Sequence, residues 1–238
     1  MTFSLLISDL DGTILETEDY HRRAYNLLFE KLDLAVVWTK QDYINRLAVM
    51  GGEKIREVFS WMNLPESRYL QVKKELYEEK TGLYLELITN DLKSKTLTLR
   101  PGIQRLFNEV EEAGIPIAIG TACEKVAARE VLRAALGKRF TESLRVLCAG
   151  GDVSKKKPDP SIYLLVAERA GVPPSECVVI EDTSHGMEAA LNAEMACLVT
   201  PSEYALNHDF SKATCKRINL EEPSPFGLVD LRAMVSND

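Results

Sequence analysis

Asp9-Leu10-Asp11-Gly12-Thr13 follows an apolar run near the start of the chain and sets two carboxylates two residues apart, with a glycine and a hydroxyl behind them. Thr121-Ala122 closes a second apolar run, Lys155-Lys156-Lys157-Pro158 lies beyond a third, and Glu181-Asp182 closes a fourth. Carboxylates, a hydroxyl and a lysine in this pattern suit phosphoryl transfer. Asp9 and Asp182 offer hard oxygens to Mg²⁺, which keeps several waters and takes few protein carboxylates. Glu181 can join them or bind a metal water. Asp9 is placed to attack phosphorus and carry it as an aspartyl phosphate, splitting one hard step into two. Asp11 can protonate the leaving oxygen and later take a proton from the attacking water. Lys157, the Thr121 hydroxyl and loop N–H groups can neutralise the transferred charge. Gly12 permits the tight turn that brings backbone amides toward a phosphate.

Each motif alone has a plainer reading. Asp-x-Asp-Gly is common in turns and calcium loops, a lysine run is usually solvated, and Glu-Asp after a strand often only starts a helix. The calcium loop fails on register: with Gly12 as its glycine, Glu18 reaches the last ligand position, but Ile7 falls where the first Asp must be. His185, just after Asp182 on a new helix, reads as a local hydrogen-bonding residue. The joint placement of the motifs, each after a different apolar run, carries the chemical reading.

The elements that must position these residues follow from periodicity. Short apolar runs at 3–8, 115–120, 145–148, 177–180 and 196–200 read as strands. Helical spacing at 125–136 and 160–170 alternates with them, which predicts a doubly wound α/β fold with a parallel sheet covered on both faces. Ligands of such sheets sit beyond the carboxyl ends of the strands, where the motifs lie. The stretch from Glu16 to about Lys95 breaks the alternation, with helical spacing at 20–32, 41–47, 53–62 and 67–87. The expected organisation is an α/β core of residues 1–15 and 96–238 with an all-helical cap of residues 16–95 inserted after the first strand. Pro101 is expected to start a helix running through Glu112, and a short helix at 228–231 to pack at the sheet edge.

Composition bounds the alternatives. The 238 residues carry a net charge of −7, which argues against a nucleic-acid partner, since that needs a basic face. No stretch reaches the length of a membrane span. The five cysteines form no CxxC pair, and Cys148, Cys177 and Cys197 lie in or beside apolar runs, as buried thiols of a reducing compartment do. A cytoplasmic protein is expected, or a plastid stromal one if the source is a photosynthetic eukaryote. A monomer is the default.

Asp9-x-Asp11-Gly12-Thr13, Thr121, Lys157-Pro158 and Glu181-Asp182 resemble, in order, the four motifs of the haloacid dehalogenase-like phosphatases. The resemblance implies Asp9 as nucleophile, Asp11 as general acid/base with its backbone carbonyl also on Mg²⁺, and Thr121 and Lys157 on the phosphoryl group. It puts Asp182, helped by Glu181, on the metal. Glu16-Thr17-Glu18, His21-Arg22-Arg23-Ala24, Gly51-Gly52, Lys80-Thr81, Arg100-Pro101-Gly102 and Lys156-Lys157-Pro158-Asp159-Pro160-Ser161-Ile162-Tyr163 look like the CbbY-type members, which remove xylulose-1,5-bisphosphate. That implies a small phosphorylated sugar as substrate, bound through Glu16, His21, Gly51, Gly52, Lys54, Lys80, Thr121, Ala122 and Lys157.

The chain departs from that subgroup at two places. Gly51-Gly52-Glu53-Lys54-Ile55 stands where Gly-Gly-Lys-Glu-Arg is usual, so the cationic role falls to Lys54 or Arg56. Ala193-Glu194-Met195 stands where Ala-Gly-Met is usual, a change at a left-handed helix end. Glu16, His21 and Arg22 also read as decoration of the first cap helix, and Lys80, on a helix rich in Lys and Glu, also reads as a solvated face. A sugar phosphomutase shares the aspartyl phosphate and is separated only by water access. A phosphoglycolate-type phosphatase is a further alternative. Dehalogenation needs neither the metal site nor Asp11, and a non-catalytic protein would tolerate loss of Asp9, Asp11, Lys157 or Asp182, all of which are present.

Overall fold

The computed structural model describes residues 2–47, 51–61 and 65–235. By contacts the chain divides into two units, Met1–Glu16 with Lys95–Asp238, and Thr17–Ser94. The first is built on six strands: β1 (Leu5–Ser8), β2 (Ile117–Gly120), β3 (Val146–Cys148), β4 (Cys177–Glu181), β5 (Ala196–Val199) and β6 (Cys215–Lys216). They form one sheet in the order β3-β2-β1-β4-β5-β6, with every neighbouring pair parallel. The central strands β1 and β4 are buried at every residue and apolar up to their last ones, Ser8 and Glu181, as a parallel sheet between helical layers requires. Leu5, Ile7, Cys177, Val179 and Cys197 pack with α7 (Ser161–Ala170) and α8 (Ser184–Asn192) in one core. The other face is covered by α5 (Ile103–Glu112) on β2 and α9 (Leu228–Val235) on β4, with α6 (Lys125–Ser143) stacked on α5 through Phe140 and Phe107.

The chain runs from β1 outward through β2 and β3, then returns to pair β4 with the other side of β1 and proceeds outward the other way. The sheet therefore has its topological switch between β1 and β4, the place where open α/β sheets take their ligands. Asp9 and Glu181-Asp182 are the residues that end these two strands.

The second unit is helical among its described residues: α1 (Glu18–Lys31), α2 (Lys40–Ile44), α3 (Gly51–Trp61) and α4 (Glu66–Lys93). α1 packs along α4, and Tyr25, Phe29, Trp38 and Tyr43 form an aromatic cluster. No described helix is long and apolar enough to cross a membrane.

Three expectations need correction. The sheet has a sixth strand, β6, whose two residues are too short to leave a periodic signal. The helix expected from Pro101 begins at Ile103 instead, because Gly102 adopts φ +85° in the turn before it. The C-terminal helix lies against β4 and α5 rather than at the sheet edge.

Candidate active site

The site is built on four strand ends of the sheet unit. Asp9 leaves β1 with its amide donating to the Ile180 carbonyl at 3.0 Å, so its backbone is held to β4. The residue is buried, and its side-chain Oδ1 accepts from Lys157 Nζ at 2.5 Å. The same ammonium donates to Glu181 Oε1 at 2.7 Å and to the Gly120 carbonyl at 3.1 Å. Lys157 is thereby fixed by groups from β1, β2 and β4.

Glu181 is buried, and its oxygens are committed to protein donors. Oε1 also accepts from the Tyr163 hydroxyl at 2.6 Å. Oε2 accepts from the amides of Asp182 and Thr183 at 2.9 and 3.3 Å. Gly186 makes room for this carboxylate, since a Cβ there would overlap it. Asp182 is buried next to it and accepts from Thr13 Oγ1 at 3.3 Å. Thr183 caps α8 by accepting from the Gly186 amide at 3.1 Å, which sets Asp182 at the mouth of that helix.

Oxygens of Asp9, Glu181 and Asp182 lie within 4.8 Å of one another, all on buried residues. Burial pushes the Asp9 carboxyl up to about 8, with Glu181 and Asp11 adding to the rise and Lys157 opposing it. Burial would lower the Lys157 ammonium, but Asp9 and Glu181 hold it above its ordinary range. Burial also tends to raise Glu181, and Lys157 with its other donors outweighs that and lowers it. One lysine does not balance these carboxylates. An all-oxygen, anionic donor set with a deficit of positive charge fits Mg²⁺.

Gly12 holds φ +81°, and a Cβ there would overlap the Asp182 carboxylate and crowd Ser202. The loop is closed by the Gly12 amide donating to the Leu15 carbonyl at 2.8 Å, beside a bridge between Asp11 and Leu15. Asp11 is partly exposed, and its carboxylate is not among the three clustered ones. Thr121 is buried at the end of β2, and its hydroxyl accepts from the Cys123 amide at 3.1 Å. Ala122 is exposed beside it, and its carbonyl is approached so closely by Gly150 that a Cβ at Gly150 would overlap it. Lys156 does not join Lys157: it caps its own loop, donating to the carbonyls of Gly150 and Val153.

Glu16 pairs with Arg100, with Nε to Oε1 at 3.1 Å. Arg100 also donates to the carbonyls of Gly12, Thr200 and Pro201. It therefore ties the loop after β1 to the loop after β5, a role that its place before Pro101-Gly102 did not reveal. Tyr163, the last residue of the stretch 156–163, likewise has its partner far along the chain, in Glu181. His185 is exposed, and the hydrogen bond at the start of α8 goes instead from the Ser184 amide to His208 Nδ1 at 3.3 Å.

In the helical unit, Lys80 and Lys54 are buried, 4% and 7% exposed. Lys80 Nζ lies 2.6 Å from His21 Nδ1 and faces the rings of Tyr25 and Tyr84. The His21 ring stacks on Tyr84 at 3.9 Å. Lys54 stands over the Tyr43 ring, and burial lowers its pKa against the pull of Glu18. Arg56 is exposed and paired with Glu66 at 2.5 Å, so Lys54 is the more sequestered of the two candidate cations. Arg22 is engaged by Asp19 and the Trp38 carbonyl. Gly51 and Gly52 begin α3, but their surroundings lie outside the described residues.

The sequence model for the haloacid dehalogenase-like hydrolases matches residues 3–194, from before β1 to the end of α8. The chain belongs to the haloacid dehalogenase-like hydrolases. Within that family it is similar to a CBBY-like protein of Arabidopsis thaliana, 37% identical over 218 residues, 88% of this chain and 67% of that one. It is 33% identical to protein CbbY of Rhodobacter capsulatus over 90% of this chain and 92% of that one. CbbY of Rhodobacter sphaeroides, solved in complex with phosphate, superposes with a TM-score of 0.85 at 30% identity, covering 97% of this chain and 99% of that one. A variant of that protein is solved in complex with xylulose-(1,5)bisphosphate. This haloacid dehalogenase-like hydrolase is a CbbY-like phosphatase.

Proposed function

We propose that the protein is a Mg²⁺-dependent phosphatase of a small sugar bisphosphate, xylulose-1,5-bisphosphate in first place, acting through phosphorylated Asp9. The observation that carries this reading is the buried meeting of Asp9, Lys157 and Asp182 at the switch between β1 and β4. The likeness to a CbbY solved with that bisphosphate supports the substrate.

In the first half-reaction an Asp9 carboxylate oxygen attacks phosphorus, the bond from phosphorus to the sugar oxygen breaks, and the Asp11 carboxyl gives that oxygen its proton. In the second, water attacks the phosphorus on Asp9, its proton passes to the Asp11 carboxylate, and the bond to Asp9 breaks. Lys157 and Thr121 hold the phosphoryl oxygens, and Ala122 lies beside them. Asp9, Asp182 and the Asp11 carbonyl would hold Mg²⁺, with Glu181 supporting from behind. When bound, the metal would offset negative charge on the phosphoryl group and on the carboxylates around it. Lys54, Lys80 and His21, together with Gly51, Gly52 and Glu16, are the residues assigned by this reading to the rest of the substrate.

The test is phosphate release, with Mg²⁺, from pentulose bisphosphates, phosphoglycolate, glucose phosphates and nucleotides. Preference for xylulose-1,5-bisphosphate is expected. Release from none of them would overturn the reading, and turnover of glucose phosphates without net phosphate release would move it to a mutase.

A further inference from the structure

Tyr163 is the residue at the centre of the site that the proposed chemistry does not use. It lies in the first turn of α7, six residues after Lys157, and its side chain is fully buried. Two parts of it meet the site. The hydroxyl donates to Glu181 Oε1 at 2.6 Å, the same oxygen that accepts from Lys157. The ring face lies beneath the Lys157 ammonium, 4.8 Å from Nζ to the ring centroid. A third residue makes the arrangement possible. Gly120 accepts from Lys157 through its carbonyl, and a Cβ on Gly120 would stand 3.0 Å from the Tyr163 ring.

We infer that Tyr163 is a positioning residue for the phosphoryl-binding lysine: its hydroxyl locks the Glu181 carboxylate and its ring supports the ammonium, so that Lys157 is held against Asp9 before substrate arrives. The physical case is one of competing places for a mobile side chain. A lysine has a flexible four-carbon stem and a charge that is satisfied by any nearby carboxylate. Glu181 could swing only by abandoning the amides on Oε2 and the hydroxyl on Oε1 together. The ring closes the remaining direction with a cation–π contact, which strengthens where water is excluded. Preorganised charge of this kind acts on the transition state more than on substrate binding. The inference rests on the proposed roles of Asp9 and Lys157.

Tyr163→Phe in the full chain keeps the ring and removes the hydroxyl; Gly120→Ala leaves the hydroxyl and crowds the ring. The readouts are the Lys157 ammonium resonance in nitrogen-edited NMR without metal, inhibition by orthovanadate with Mg²⁺, and steady-state kinetics on xylulose-1,5-bisphosphate. For Tyr163→Phe the Lys157 resonance is expected to shift and its protons to exchange faster. The kcat is expected to fall about tenfold with KM within about twofold, and orthovanadate to weaken by a similar factor, the loss of one hydrogen bond to a charged group. Gly120→Ala moves the same readouts in the same direction and decides the matter should Tyr163→Phe not fold. An unchanged Lys157 resonance with unchanged kcat in a folded variant overturns the inference. So does a lower thermal midpoint with unaltered orthovanadate affinity, which is a packing role alone. A wild-type protein that releases no phosphate would sink the proposed function, while the Lys157 resonance would still decide the positioning claim.

Discussion

Lys157 Nζ stands 2.5 Å from Asp9 Oδ1 and 2.7 Å from Glu181 Oε1, joining the end of β1 to the end of β4 across the switch point of the sheet. All three side chains are nearly or fully buried, at 12%, 7% and 1% exposure. The cation thus has a structural task beside the chemical one proposed for it, because it offsets the charge of two carboxylates in one buried site.

Removing it should be costly. Lys157→Met is expected to lower unfolding stability by about 3 kcal/mol, the loss that follows when a buried charge pair is broken by taking away one partner. Mg²⁺ should recover part of that loss by binding the native carboxylates and not the unfolded chain. Urea unfolding with Mg²⁺ and with a chelator checks both statements. Equal midpoints in the two solutions would contradict metal binding at this cluster.

Gly12→Ala combines two penalties. Its φ of +81° disfavours any side chain, and a methyl group would overlap the Asp182 carboxylate. A stability loss of at least about 2 kcal/mol is expected, together with weaker Mg²⁺ binding. Calorimetric titration of Mg²⁺ into the folded variant reads the second effect separately from the first.

Glu194 occupies the position where the helix end turns left-handed, with φ +60°. The Met195 amide reaches back to the Ala190 carbonyl at 3.0 Å, which completes the turn after α8. Glu194→Gly should therefore stabilise the protein by about 1 kcal/mol, because glycine adopts this φ without the cost borne by a side chain. Thermal unfolding checks it, and catalytic constants should not move.

Lys80→Met removes a buried ammonium while keeping its length. KM for a sugar bisphosphate should rise about tenfold, as for one lost charge-assisted contact, with no fall in stability. Turnover of a monophosphate lacking the second group should be unaffected. A variant that loses both activities equally would remove Lys80 from second-phosphate recognition.

Lys80 also shows where sequence reading reaches and where it stops. Its neighbours Lys73, Lys74, Glu75, Glu78 and Glu79 suggested a solvated face. Yet Leu76, Lys80, Tyr84 and Ile88 recur every four residues, and they are the buried stripe of α4. The stripe was present in the sequence but masked by charge density. The strand ends were legible because buried parallel strands are nearly pure apolar runs, so the polar residues that follow them mark the carboxyl edge of the sheet. Asp9, Thr121 and Glu181 stand at such positions, with Asp182 next to Glu181. Tyr163 and Arg100 escaped because their tasks depend on partners distant in the chain, Glu181 for one and the Gly12 and Thr200 carbonyls for the other. The helix expected over 125–136 ends where the spacing puts it, because Gly137, at φ +87° and ψ +165°, breaks the helical backbone, and a second helical stretch then carries α6 on to Ser143.

The central claim is that Asp9 carries the phosphoryl group. Its most direct test is acid-quenched mass spectrometry of the protein turning over xylulose-1,5-bisphosphate with Mg²⁺, beside Asp11→Asn, in which release of the phosphoryl group is slowed, and Asp9→Asn. One phosphoryl increment on the peptide containing Asp9 is expected, larger in Asp11→Asn and absent in Asp9→Asn, which should be folded and inactive. Phosphate release at a normal rate by Asp9→Asn, with no increment on that peptide in any of the proteins, would contradict the account.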